Sequence, residues 1–251
     1  MQCPHSGRVL VAMKREFNRE VQRETYPISR GDHMRQHIAF LHTSPVHVET
    51  FERLVRAANQ AIKIEHVVAE DLLAEAQSVG PADPALVARV QDAMKSAASN
   101  GAAIVACTCS TIGGAAEKTP TDGRFIAARI DRAMADRAVK LGPHILVVAA
   151  LESTLKPTVD LIQESASAVG INTEIQLVLA SDAWPHFTNG DREAYIEAVV
   201  QAVRTAPRPA DVVVLAQASM APAAECLREL GVEVLSSPRI GVKSLLARLE
   251  Q

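Results

Sequence analysis

Two cysteines one residue apart, Cys107 and Cys109, close an apolar run that starts at Ala102, and Thr108, Ser110 and Thr111 lie among and just after them. A thiolate can act as a base or as a nucleophile. A free thiol ionises near pH 8.5, so such a site needs nearby N–H groups or a cation. Three other loops carry similar small hydroxyl residues: His42-Thr43-Ser44-Pro45, Leu151-Glu152-Ser153-Thr154 and Gln217-Ala218-Ser219-Met220. Hydroxyls and the backbone N–H groups of helix N-termini suit a carboxylate. The chemistry these residues offer is thiol-based work on a small acid.

Other site chemistries lack their residues. Cys107-x-Cys109 has no second cysteine pair to complete a metal site. The position six after Cys107 is Gly113, not the arginine of a thiol phosphatase loop. No Gly-x-Gly-x-x-Gly or Walker-type loop occurs, so the expected cofactor and metal are none.

The elements that must position these loops alternate strand and helix. Strands are expected at 37–42, 64–69, 102–107 and 125–128, then again at 145–151, 174–180, 212–217 and 232–235. Between them helical spacing runs through Phe51, Leu54, Val55, Ala58 and Ile62, and from Asp83-Pro84 to a stop at Asn100-Gly101. Further helices are expected at 132–141, from Pro157 to Gly170, and at 191–206, 222–230 and 240–249. The segment Trp184-Pro185-His186-Phe187 reads as an aromatic loop that can close over an apolar substrate part or lie on the surface. Cys226 falls on the apolar side of its helix and reads as core.

A shift of 110 residues brings the second half onto the first: Ile38-Ala39-Phe40 onto Val148-Ala149-Ala150, and Ile104-Val105-Ala106 onto Val214-Leu215-Ala216. Arg129-Ile130 fall on Arg239-Ile240, and the two arginines read as helix-start residues or as carboxylate binders. The shift pairs Cys107 with Gln217 and Cys109 with Ser219. The expected fold class is α/β, two similar four-stranded parallel-sheet lobes related by a pseudo-two-fold axis, with the active site between the lobes. The expected division is a disordered N-terminal extension at 1–36, a first lobe of 37–117 plus 225–251, and a second lobe of 118–224.

Composition narrows the partners. The chain has 251 residues, 48% hydrophobic and 22% charged, with a formal net charge of −3. That balance argues against nucleic-acid binding, and five Phe, two Tyr and one Trp are too few for stacking platforms. Four cysteines do not make a secreted disulfide scaffold. No apolar run approaches the roughly 18 residues of a membrane span. Residues 1–36, with seven Lys/Arg and four Asp/Glu and no apolar core, do not read as a secretory signal, and Cys3 lies there. A cytoplasmic protein without membrane or nucleic-acid partners is expected.

The segment Ala106-Cys107-Thr108-Cys109-Ser110-Thr111 resembles the Ala-Cys-Asn-Thr motif of the aspartate/glutamate/hydantoin racemase superfamily. Leu215-Ala216-Gln217-Ala218 resembles that family's Leu-Gly-Cys-Thr motif. The resemblance extends over residues 37–251. It implies an isomerase that works without a cofactor at the carbon next to a carboxylate or carbonyl, with two thiols facing opposite sides of the substrate, and it permits a homodimer. It gives Cys107 the acid–base or nucleophilic role. Gln217 stands at the second thiol position as a hydrogen-bond donor. Thr43, Ser44, Thr108, Ser110, Ser153, Thr154 and Ser219 would anchor carboxylate oxygens. His42 stands where the racemases carry an acidic residue.

An amide neither accepts nor returns a proton at neutral pH, so several chemistries stay open. One is one-thiol proton transfer, as in the related arylmalonate decarboxylases. Another is thiolate addition, as in the related maleate cis-trans isomerases. A third is a racemase whose second base is His47, His66, Glu152 or His186. A small-carboxylate binding protein without turnover is the remaining reading.

Overall fold

The structure, a computed structural model, describes residues 36–250. The expected extension at 1–36 therefore lies almost wholly outside the described residues. Eight strands form two four-stranded sheets, parallel throughout. The first has the order β2-β1-β3-β4, with β1 His37–His42, β2 Lys63–Val68, β3 Ile104–Cys107 and β4 Ile126–Arg129. The second has the order β6-β5-β7-β8, with β5 His144–Ala149, β6 Glu174–Leu179, β7 Val212–Leu215 and β8 Glu233–Ser236. The inner strands β1, β3 and β7 are buried along their whole length, and β5 in all but its first residue. Their sequences accordingly run apolar without alternation, as strands covered on both faces do.

Helices cover both faces of each sheet. One face of the first sheet carries α2 (Glu70–Val79), α3 (Pro84–Ala97) and α4 (Ser110–Glu117) through Leu72, Leu86, Val90, Met94 and Ile112. Asp83 caps α3 by accepting from the Ala85 and Leu86 N–H groups, and Pro84 needs no partner at the first position. The other face carries α1 (Val48–Ala58) through Phe51 and Val55, and α10 (Ser237–Leu249) through Val242 and Leu245. The second sheet packs α5 (Arg132–Leu141) and α6 (Glu152–Ala168) on one face, and α7 (Ala183–Thr188), α8 (Arg192–Arg204) and α9 (Ala223–Cys226) on the other. Full burial of each large apolar side chain contributes about 1.5–3 kcal/mol. Cys226, as expected, packs against the apolar cluster under α8. Among the described residues no helix is long and apolar enough to cross a membrane.

Several expectations are corrected. β4 belongs to the first sheet and β8 to the second, so the boundaries at 117/118 and 224/225 place these two strands in the wrong lobes. Only α10 returns to the first lobe. It approaches so closely that a Cβ at Gly241 would collide with the Ile130 carbonyl oxygen. Pro157 does not open a helix. It lies inside α6, which begins five residues earlier because the chain leaves β5 with Leu151 extended. The proline removes the N–H that would bond the Ser153 carbonyl. Residues 183–188 form α7, not a loop. The helix α2, with Glu70 and Asp71 in its first turn, was not anticipated. Ile62 lies beyond the end of α1, in the turn before β2.

The repeat is real in topology and wrong in register. Matching the ladders carries His37 to His144, Lys63 to Glu174, Ile104 to Val212 and Ile126 to Glu233, offsets of 107, 111, 108 and 107. At the ends of β3 and β7 this pairs Cys107 with Leu215 and Cys109 with Gln217. Arg129 pairs with Ser236, not with Arg239.

Candidate active site

The carboxyl ends of the two sheets meet across a cleft. Thr43, Ser44 and His47 line it from the segment after β1, and Thr108, Cys109, Ser110 and Thr111 from that after β3. Leu151 and Thr154 line it from the segment after β5, Gln217, Ala218 and Ser219 from that after β7, and Leu73, Trp184 and Phe187 from the helices beside them. Three hydrogen bonds close it. Ser110 Oγ donates to the Ala216 carbonyl at 2.5 Å, Thr111 Oγ1 and Thr154 Oγ1 lie 3.0 Å apart, and the Ala150 N–H donates to Gln217 Oε1 at 2.6 Å. The first two tie one lobe to the other. The cavity left between them is about 40 Å³.

Of the two cysteines, the cleft receives Cys109. Cys107 ends β3 with its side chain in the apolar cluster under α2, α3 and α4, and its residue is 1% exposed. Burial, reinforced by the neighbouring Cys109, pushes its thiol well above the usual range. The Cys107 thiol donates to the Cys109 carbonyl at 3.5 Å and remains a neutral core residue. Cys109 follows the strand end as the extended residue that caps α4, is partly exposed, and lines the cavity.

Gln217 caps the 3-10 turn Ala218–Met220 in the same way. Its amide oxygen accepts the Ala150 N–H, which fixes the amide orientation and leaves its NH2 for the cleft. The pair at equivalent register positions on the two lobes is therefore a thiol and a fixed amide donor.

The hydroxyl residues divide. Thr43, Ser44, Thr108, Ser110, Thr154 and Ser219 line the cavity. Ser153 does not. It lies on the first turn of α6 with its Oγ buried and without a partner among the described residues. The Ser110, Thr111 and Thr154 hydroxyls are committed to the contact between lobes, which leaves Thr43, Ser44 and Ser219 as the freer oxygens. Ser219 Oγ shares a 2.8 Å hydrogen bond with Tyr195 OH, whose phenol burial pushes up to about 12.

Of the alternative bases, His47 lines the cleft, while His66, Glu152 and His186 stay outside its lining. Burial pulls His47 down to about 4, so it is a neutral ring at pH 7. His42 does not reach the cavity. It is completely buried, bonded through Nδ1 to Thr108 Oγ1 at 2.8 Å and through Nε2 to His66 Nδ1 at 2.8 Å. Arg129 is neither a solvated helix start nor a substrate contact. Its guanidinium is buried against Asp131 at 2.7 Å, with a further bond to the Ser110 carbonyl. Arg239 is exposed on α10.

The apolar wall was seen only in part. Trp184 stacks on Phe187 with centroids 4.9 Å apart, and Phe187 meets Tyr195 at 5.2 Å. Leu73 comes from the unanticipated α2 and had no signal in the sequence.

No family model matches the chain, and no curated protein matches it. Solved structures do. The glutamate racemase of Bacillus anthracis superposes with a TM-score of 0.63 at 16% identity, over 85% of this chain and 81% of that one. The aspartate racemase of Picrophilus torridus gives 0.60 at 14%, over 86% and 94%. The allantoin racemase of Pseudomonas fluorescens gives 0.54 at 20%, over 85% and 92%. A Gly74Cys mutant of arylmalonate decarboxylase gives 0.55 at 14%, over 85% and 93%. The chain thus has the two-lobed α/β fold of the aspartate, glutamate and allantoin racemases and of arylmalonate decarboxylase.

Proposed function

We propose that this chain is a cofactor-independent enzyme that moves a proton at the carbon next to a carboxylate or carbonyl of a small acid, with Cys109 as its single acid–base thiol. The observation that carries the reading is the pairing of Cys109 with Gln217 at equivalent places on the two lobes. Ionised, the Cys109 sulfur removes a proton from, or as a thiol returns one to, the face of the carbon turned to the first lobe. The Gln217 NH2 donates to the carboxylate or enolate oxygen as charge grows there, with Thr43, Ser44 and Ser219 as further donors. An amide cannot carry a proton to the opposite face. The chemistry favoured by this pair is one-sided: exchange with retention, or decarboxylation followed by protonation on one face. A racemase needs a second proton carrier, and Ser219, bonded to Tyr195, is the hydroxyl that the second lobe brings to the cleft beside Gln217.

The Trp184–Phe187 wall favours an acid with an apolar substituent. Incubating the protein in deuterated water with amino acids and with aryl-substituted malonates separates the readings. Deuterium at the α-carbon without loss of chirality, or release of carbon dioxide, supports the one-thiol reading. Full racemisation assigns a second proton carrier. No exchange with any acid that binds leaves a small-carboxylate binding protein.

A further inference from the structure

We propose that Thr108, His42, His66 and Glu52 form a proton wire that joins the cleft to the surface of the first lobe. The proposal rests on the reading that the cleft moves protons at carbon. The links are continuous. Thr108 Oγ1 lies 2.8 Å from His42 Nδ1, His42 Nε2 lies 2.8 Å from His66 Nδ1, and His66 Nε2 lies 3.1 Å from Glu52 Oε2. At one end Thr108 lines the cavity beside Cys109. At the other, the Glu52 side chain is 40% exposed and held by Arg56 Nε at 2.9 Å. Phe40 stacks on both imidazoles, at 5.9 and 5.6 Å, and Phe51 lies 5.6 Å from His42. The titratable and charged groups facing the wire are His47, Glu52 and Arg56 from the α1 side and His66 from β2. The residue after β3 contributes only the Thr108 hydroxyl.

The hydrogen bonds allow two polarities. In the outward one, the Thr108 hydroxyl donates to His42 Nδ1, His42 Nε2–H to His66 Nδ1, and His66 Nε2–H to the Glu52 carboxylate. A proton arriving on Thr108 Oγ1 from the cleft displaces the hydroxyl's own proton onto His42 Nδ1. The proton on His42 Nε2 passes to His66 Nδ1, and His66 then carries a proton on both nitrogens. The Thr108 hydroxyl now donates to the Leu41 carbonyl, 3.3 Å away. Loss of the Nε2 proton through Glu52 to water leaves the inward polarity, with His66 Nδ1–H donating to His42 and His42 Nδ1–H donating to Thr108. Uptake of a proton at Glu52 then drives one proton back into the cleft and restores the first state. One removal and one return balance, with no electron transfer and no co-reactant.

Among the described residues the second lobe carries nothing comparable. By strand register, the counterparts of His42, His66 and Thr108 are Ala149, Leu177 and Ala216. The wire therefore exists only in the lobe that holds the thiol.

The test is nitrogen-15 NMR of the histidine rings in the full chain, titrated with acid. The wire predicts that His42 moves its proton from Nε2 to Nδ1 in step with proton uptake at His66. A His42 ring that keeps one tautomer while His66 titrates overturns the wire, whatever the reactivity of Cys109. A second measurement follows exchange of the α-proton of phenylmalonate for deuterium. His66→Ala is expected to slow it by about tenfold or more, the scale of a lost proton-transfer partner, and added imidazole is expected to restore it. Slowing without rescue marks His66 as merely structural and overturns the wire. A wild-type protein that exchanges no proton contradicts the proposed function instead, and the tautomer result still decides the wire.

Discussion

Cys109 and Gln217 each stand two residues beyond the end of a central strand, β3 in one lobe and β7 in the other, and both line the same cleft. The fold repeats. The residue type at the repeated position does not: one lobe presents a thiol, the other an amide that cannot ionise.

The two cysteines are predicted to separate cleanly by substitution. Cys109→Ala abolishes proton exchange and leaves thermal unfolding close to wild type. Cys107→Ala empties part of a packed core and costs about 1–2 kcal/mol of stability, with proton exchange retained in the folded protein. Exchange kinetics together with thermal melts read both effects.

At position 217 the expected effect is on binding. Gln217→Glu keeps an oxygen to accept the Ala150 N–H but replaces the NH2 donor with negative charge. Malonate affinity is predicted to fall at least about tenfold, or about 1.4 kcal/mol, with little change in melting temperature. Calorimetric titration of both proteins checks it. Unchanged affinity would place the carboxylate elsewhere in the cleft.

Acid stability is predicted to fall before the carboxylates titrate. Burial, with His66 and His47 nearby, pulls His42 down to about 3, and burial pulls His47 down to about 4. Their unfolded rings ionise near pH 6.5. The unfolded chain therefore binds more protons below that pH, and stability declines from about 6.5 towards 4 and 3. His42 alone costs about 2 kcal/mol at pH 5. Glu52, whose carboxyl burial would raise, is instead held low by its bonds from His66 and Arg56. Its contribution is lost only below about pH 4.5, near the ordinary range of a glutamate. Urea unfolding at pH 7 and pH 5 is the measurement. His47→Asn is expected to flatten the dependence.

Trp184 is the chain's single tryptophan and sits in the cleft wall. Its emission is predicted to shift on titration with a small aryl-substituted dicarboxylate and to stay constant with an uncharged aromatic amide. An indole blind to every acid that binds by calorimetry would mean that α7 does not meet the ligand.

The seam between α10 and the first lobe is a separate matter of packing. Gly241→Ala forces a Cβ against the Ile130 backbone, and a loss of about 1–3 kcal/mol is expected, read by chemical unfolding. The labelling rate of Cys109 in the folded fraction should not change.

The sequence revealed the elements better than their correspondence. β1 and α5 have their expected bounds, because an unbroken apolar run and a helix closed by Gly142-Pro143 are local signals. The gapless shift of 110 failed because loop lengths differ between the lobes. Four strand offsets between 107 and 111 cannot be met by one number, and an error of two residues set Cys107 in place of Cys109 opposite Gln217. Apolar patterning alone could not separate the two thiols, since β3 ends at the first and a helix cap begins at the second. Leu73 and the chain from Thr108 through His42 and His66 to Glu52 join elements far apart in sequence, and nothing local announces them.

The central claim is that Cys109 is the reactive thiol of a carboxylate cleft. Brief exposure of the native protein to iodoacetamide at neutral pH, with and without malonate, followed by mass-spectrometric mapping of the adducts, tests it most directly. The account predicts rapid modification at Cys109, protection by malonate, and no modification of Cys107 until the chain is unfolded. Modification of Cys107 at a comparable rate, or a Cys109 that stays unmodified while the unfolded chain reacts, would contradict it.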